Sequence, residues 1–218
     1  MNSIDEKPIR PVESIEAQLM ARVRRAGRGS VWCAERFGGE FSRNAVDQAL
    51  LRMAQRQTLV RIAQGVYLYP IPHPLLGIAP ATMADVHEML VAIRGGPVIA
   101  YGATAAAQYG FVPADGERYE YAGVGVSRTI VTRWWSMHIR PIAPRFIVGL
   151  HPQTAMVIQA MRYIGQKQWN NTHTQLLQHR ITDASAATLC DQVALSPAWM
   201  RTIIATLRVP ASTAAGTT

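Results

Sequence analysis

Acidic residues are scarce in this sequence, and over two long stretches they are missing. Fourteen Asp and Glu stand against 22 Lys and Arg, so the net charge is +8 and the pI is near 10.1. No Asp or Glu lies between Asp47 and Asp85, and none between Tyr121 and Thr182. Such a balance favours an acidic partner, nucleic acid or acidic protein, and says nothing about fold. Lysine is scarcer still, since twenty of the basic residues are Arg. Arg suits bidentate contacts to phosphate and guanine.

Cysteine is nearly absent. Cys33 and Cys190 are far apart and in no metal-type spacing, which excludes a disulfide framework and a thiolate metal site. Long apolar runs are absent too: none reaches the roughly 18 residues that span a bilayer. The leading "MNSIDEKPIRPVES" is polar and has no hydrophobic signal core. The expectation is a soluble cytoplasmic protein with no membrane partner.

Catalytic signatures are also missing. There is no G-x-x-x-x-G-K-[ST], no G-x-S-x-G and no carboxylate pair at nucleotidyltransferase spacing. "VHEMLVA" opens like a zincin motif, but Val91 stands where the second His is needed. His173 and His179 share a predicted helix at a spacing that does not favour a common metal. "GVGVSR" lacks the third glycine of a dinucleotide loop. Glu117 and Glu120 read as a solvated strand end. The sequence predicts no enzyme, no metal and no cofactor.

What is present is enough apolar residue, 49%, to bury a sizeable core. Residues 1–12 read as a flexible lead. "SIEAQLMARVRRAG" puts Ile15, Leu19, Met20 and Val23 at helical spacing, with Ser14 as a candidate cap. "GSVWCAERFG" follows with a brief extended piece and a short helix. Ser42 caps a third helix, whose apolar face is Val46, Ala49, Leu50 and Met53. "TLVRIA" and "GVYLYP" read as strands joined by a tight turn at Gln64-Gly65. Leu19, Val23, Val46, Leu50, Met53, Leu59 and Tyr67 form the predicted core. This order is that of a winged helix, in which the third helix enters the major groove.

"PIPHPLLGIAP" carries four prolines in eleven residues and reads as a domain boundary. The expected division is a winged-helix DNA-binding domain over 13–72, an α+β domain over 80–208 and a disordered tail over 209–218. In the second domain "MADVHEMLVAIRGG" is a helix, "PVIA" a short strand and "TAAAQYG" a small-residue helix. "ERYEYAGVGV", "TIVTRWW" and "MHIRPI" read as a small antiparallel sheet, and the remainder is helical. The fold class is α+β.

Two surfaces are candidates for function. On the first domain, Ser42, Arg43 and Asn44 sit at a helix N-terminus, where side chains and free N–H groups meet phosphates. Asp47, Gln48 and Arg52 lie about one turn further on, within reach of base edges. Asp47 can orient Arg43 or accept from a cytosine amine. Arg61 on the wing can meet a flanking phosphate, with Gln64 at the wing tip. The alternative is a winged helix used for protein contact. On the second domain, the stretch from Tyr121 to Thr182 holds Arg128, Arg133, Arg140, Arg145, Arg162, Arg180 and Lys167, interrupted by Trp134 and Trp135. Arg128, Arg133, Trp134, Trp135, Arg140 and Arg145 form the candidate partner-binding set. The alternative is an ordinary solvated face.

Three stretches together resemble the AbiEi-like antitoxins of type IV toxin–antitoxin systems. They are "LVRIAQGVYLYP", "VIAYGATAAAQYGF" and "AMVIQAMRYIG", and the resemblance covers residues 13 to 168. It implies an N-terminal winged helix-turn-helix that represses its own operon, bound as a monomer or dimer to double-stranded operator DNA. It also implies a second domain that counteracts a nucleotidyltransferase toxin. By position, Ser42, Arg43, Asn44, Gln48 and Arg61 would face DNA. Gln64 departs from relatives that carry a second wing-tip base. Two further readings remain: a transcription regulator, without any toxin, whose second domain senses a small ligand, and a pure interaction module that uses the winged helix for protein contact.

Overall fold

The computed structural model describes residues 14–207. The expected lead (1–12) and tail (209–218) lie outside the described residues. The fold is α+β. Two compact units divide the chain, one running to Ile93 and the other beginning at Arg94.

The first unit opens with α1 (Ile15–Ala26), capped by Ser14, whose hydroxyl accepts the Ala17 N–H at 3.2 Å. β1 (Val31–Trp32) and a 3₁₀ turn (Ala34–Phe37) follow. α2 (Arg43–Gln55) is capped by Ser42, which accepts the Ala45 N–H at 3.3 Å. The chain then forms β2 (Val60–Ala63) and β3 (Val66–Leu68). The three strands are antiparallel in the order β1-β3-β2. Gly65 supplies the φ of 69° required by the turn between β2 and β3. All seven core residues expected from the helical and strand periodicities lie in one buried cluster, joined by Trp32 and Phe37, whose rings stack at 4.9 Å. Cys33 is buried beside them, and burial, reinforced by Glu35, pushes its thiol pKa up to about 12.

The proline-rich stretch is built into the first unit. β4 (Pro72–His73) and β5 (Gly77–Ile78) pair antiparallel, with the His73 ring nitrogen accepting the N–H groups of Leu75 and Leu76. Proline is tolerated in so short an edge ladder because few backbone donors are needed there. α3 (Met83–Arg94) follows, and the division into compact units falls at its last residue, whereas the expected boundary lay within residues 70–80.

The second unit holds β6 (Val98–Ala100), α4 (Gly102–Gln108), β7 (Arg118–Gly123), β8 (Arg128–Val131) and β9 (Ser136–Pro141). α5 (Pro152–Ile164), α6 (Asn171–Arg180), α7 (Asp183–Gln192) and α8 (Ala198–Thr206) complete it. The sheet order is β6-β7-β9-β8. The expected all-antiparallel sheet is corrected here: β7 pairs parallel with β9, and the other two pairings are antiparallel. The physical reason is burial. β9 carries Met137 and Ile139, both almost fully buried, and belongs inside the sheet. β8 buries only Ile130 along its length and is left at the edge. α5 is buried along most of its length and packs against α4.

Candidate nucleic-acid interface

α2 presents a polar stripe opposite its core face. At 3.6 residues per turn, Asn44, Gln48, Leu51 and Gln55 align on the side away from Val46, Ala49, Leu50 and Met53. Asn44, Gln48 and Gln55 are exposed and Leu51 is half-buried. Three amides, each with donor and acceptor, therefore point outward around one aliphatic side chain. That chemistry suits adenine edges and thymine methyl groups.

The charged residues of α2 flank this stripe and carry local partners. Arg43 binds Asp47 one turn on and Glu35 of the 3₁₀ turn, each at 3.1 Å. Partial burial works against its charge, but Glu35 and Asp47 hold the Arg43 guanidinium above the usual arginine range. On the opposite flank Arg52 reaches Glu16 of α1 at 3.3 Å, and Arg56 meets the same carboxylate at 2.5 Å. Arg52 thus leans toward α1. A groove of about 610 Å³ opens on that side, lined by Glu16, Ala17, Met20, Arg24, Met53 and Arg56 among others.

The hairpin adds Arg61 and Gln64, both exposed. Arg61 faces Tyr67 across the β2–β3 ladder, with a register shift just beyond it. Burial raises the Tyr67 phenol pKa, and the Arg61 charge pulls it the other way. Ser42, Arg43, Asn44, Asp47, Gln48 and Arg52 share one helix and its cap, while Arg61 and Gln64 share one hairpin. Leu51 and Gln55 belong to the stripe as well; each lies seven residues beyond Asn44 or Gln48, a spacing that could have identified them. Glu16 and Glu35 left no local signal, because the chain brings them to α2 from other elements.

On the second unit, Arg128, Arg133, Arg140 and Arg145 lie on or beside β8, β9 and the following 3₁₀ turn (Pro144–Phe146). All but Arg128 have a guanidinium over a ring. Arg133 covers Trp134 at 4.2 Å, Arg140 lies 5.8 Å from the Tyr101 ring, and Arg145 and Arg162 share Phe146 at 4.8 and 4.3 Å. Trp135 is buried and belongs to the core, whereas Trp134 is half-buried. Glu120 does not sit in solvent at a strand end. It is half-buried, and its carboxylate accepts the Ala103 N–H at 3.3 Å. Among the described residues no group of three or more His, Cys, Asp or Glu is placed to hold a metal ion, and no helix is long and apolar enough to cross a membrane.

Helices, a three-stranded antiparallel sheet and an amide-lined helix face define the first unit, and a mixed four-stranded sheet with helices defines the second. Residues 18–189, most of the chain, match DUF6088, a family of unknown function, and the chain belongs to that family. No curated protein and no solved structure matches it.

Proposed function

We propose that the chain is a cytoplasmic, antitoxin-type transcriptional autoregulator, without catalytic activity, whose first unit is a winged helix that binds its own operator. The observation that carries the reading is the stripe of Asn44, Gln48 and Gln55 on α2. It stands on the solvent side of a helix that is followed directly by a hairpin bearing Arg61. In a winged helix that helix reads base edges and the hairpin meets the flanking backbone. The N-terminal N–H groups of α2, beside Ser42, offer phosphate contacts as well. The second unit then engages the protein partner, a nucleotidyltransferase toxin in the antitoxin reading, through its arginine-rich surface.

The test is a gel shift of the full chain on its own upstream region, with a salt series. The expected result is a complex that survives unrelated competitor DNA at about 150 mM salt, since specific binding exceeds non-specific binding by a factor of roughly 10³ or more. Equal affinity for unrelated DNA would refute the reading. A second reading, a winged helix used for protein contact, draws support from one observation: Arg43, Arg52 and Arg56 already have carboxylate partners.

A further inference from the structure

We propose that β8 is a docking edge, and that its occupant is an extended, acid-rich segment of a partner protein that joins the sheet as an added strand. The proposal rests on the partner-binding half of the reading above and not on the DNA-binding half.

β8 is the outer strand of the order β6-β7-β9-β8. The phase of its ladder is set by the hairpin that follows, where the Thr132 N–H donates to the Trp135 carbonyl at 2.9 Å. Hydrogen-bonded and non-bonded pairs alternate along an antiparallel ladder. Ile130 and Arg128 therefore direct their backbone groups to β9, and Thr129 and Val131 direct theirs outward. The short contact between the Thr129 hydroxyl and the His138 ring, 3.0 Å, fits the closer side-chain approach of a non-bonded pair.

This edge lacks most of the usual guards, although it is only four residues long and opens with an arginine. Exposed edges are normally blunted by proline, a bulge or a covering element. β8 runs from Arg128 to Val131 in unbroken register with β9 and contains no proline. Val131 is 64% exposed, and Val126, just before the strand, is 80% exposed. The opposite edge strand, β6, is buried throughout.

Charge selects the occupant. Arg128 opens the strand, Arg133 follows its end, and Arg140 is exposed on the adjoining β9. Arg94 donates to the carbonyls of Val126 and Ile139, and burial together with the nearby Arg128 charge holds its guanidinium below the usual arginine range. No acidic residue occurs from Tyr121 to Thr182. A second copy is a poor occupant, because an antiparallel β8–β8 pair would set Arg128 of one strand toward the Arg133 end of the other, and like charges across a ladder repel. An acidic strand is complementary in charge to this arginine-bearing edge, and its backbone completes the ladder.

The experiment uses the full chain and fluorescence anisotropy with three labelled heptapeptides: one of alternating Glu and Val, one with Lys in place of Glu, and the acidic one N-methylated at alternate residues. The acidic peptide is expected to bind, with affinity falling as salt rises, and the Lys peptide is expected not to bind. Val131→Pro removes one outward N–H while leaving the bonds to β9 in place, so affinity should fall about tenfold. The N-methylated peptide makes the same test without altering the protein and should lose affinity similarly. The variant Arg128→Gln with Arg133→Gln should weaken binding and flatten its salt dependence. Equal binding of methylated and unmethylated peptides would overturn the proposal, because it would mean charge coating without strand addition. So would no binding to the wild-type chain, or self-association that Val131→Pro abolishes, which would make the occupant a second copy. A gel shift of Val131→Pro on the upstream region should match wild type. Loss of operator binding by the wild-type chain with peptide binding intact would sink the DNA reading alone.

Discussion

Replacing Gly102 by Ala tests how the second unit is held together at the start of α4. The helix begins at Gly102 after Tyr101, whose side chain makes no cap hydrogen bond. The first-turn N–H groups need acceptors from elsewhere. Glu120 of β7 provides one, accepting from Ala103 at 3.3 Å, while its own N–H donates to the Thr104 hydroxyl at 2.7 Å. Gly102 makes this possible twice over: its φ is +54°, and a Cβ there would fall onto the Glu120 carboxylate. The carboxylate is the mobile end of a side chain, so it would swing away rather than break the backbone. Two terms remain. A left-handed φ costs an L-residue roughly 1–2 kcal/mol. Loss of an N-terminal cap costs about 0.5–2 kcal/mol. Gly102→Ala should therefore destabilise the second unit by about 2–3 kcal/mol, or roughly 5–10 °C in Tm.

The assay is chemical and thermal unfolding followed by tryptophan fluorescence. Four of the five tryptophans (Trp134, Trp135, Trp169 and Trp199) lie in the second unit. Glu120→Ala alone should cost about 1 kcal/mol. In the double variant the two costs should not add, since Gly102→Ala has already expelled the carboxylate, and the coupling should be about 1 kcal/mol. Additivity within about 0.3 kcal/mol, or a Gly102→Ala variant that unfolds like wild type, would refute the cap.

Other perturbations probe the first unit. Leu50 is fully buried, so Leu50→Ala should cost about 2–5 kcal/mol, and a wild-type melt would show that α2 packs on another face. Gln57 holds a φ of 59°, and Gln57→Gly should raise stability by about 0.5–1 kcal/mol in denaturant titrations. Gln48→Ala should relax sequence preference by about 1–3 kcal/mol at one base pair, whereas Arg61→Ala should weaken all DNA alike and lower the salt slope by about one unit; a binding-site selection that returns the wild-type preference for Gln48→Ala removes it from readout. Asp47→Asn with Glu35→Gln releases Arg43 and should tighten binding to any DNA while steepening the salt slope by about one unit; an unchanged slope would show that Arg43 never reaches phosphate.

The two units were not equally legible in the sequence. In the first, local patterns suffice. Val46, Ala49, Leu50 and Met53 recur at helical spacing, Ser42 stands one turn before them as a cap should, and Gln64-Gly65 separates two β-branched runs. Each of these signals involves residues a few positions apart. In the second unit the decisive relations are long-range. Whether β7 pairs with β8 or β9 depends on which strand is buried on the sheet, and Met137 and Ile139 settle that only when neighbours are known. Glu120 looks like a polar strand residue until β7 lies beside α4. The same holds for the charges on α2, where Glu16 comes from 36 and 40 residues away to engage Arg52 and Arg56.

The arginines of the two units are restrained by different chemistry, and this bears on what each unit can recognise. Around α2 they are tied to carboxylates at exposed sites, where an ion pair contributes about 0–1 kcal/mol. Such a pair is easily exchanged for a phosphate, but it lowers the net positive field near the helix. On the DNA-binding reading proposed above, discrimination along α2 would then fall to the uncharged Asn44, Gln48 and Gln55, whose hydrogen bonds salt screens little. Around β8 and β9 the guanidinium groups rest on Trp134, Tyr101 and Phe146. A ring holds a guanidinium in place without cancelling its charge. On the partner-binding reading, this leaves positive charge available to an acidic partner, and the sequence from Tyr121 to Thr182 itself contributes no acidic residue. Salt should in consequence separate the two activities. Raising ionic strength should strip the partner from the second unit while the base preference of the first, measured as a ratio between two DNA sequences, stays nearly constant.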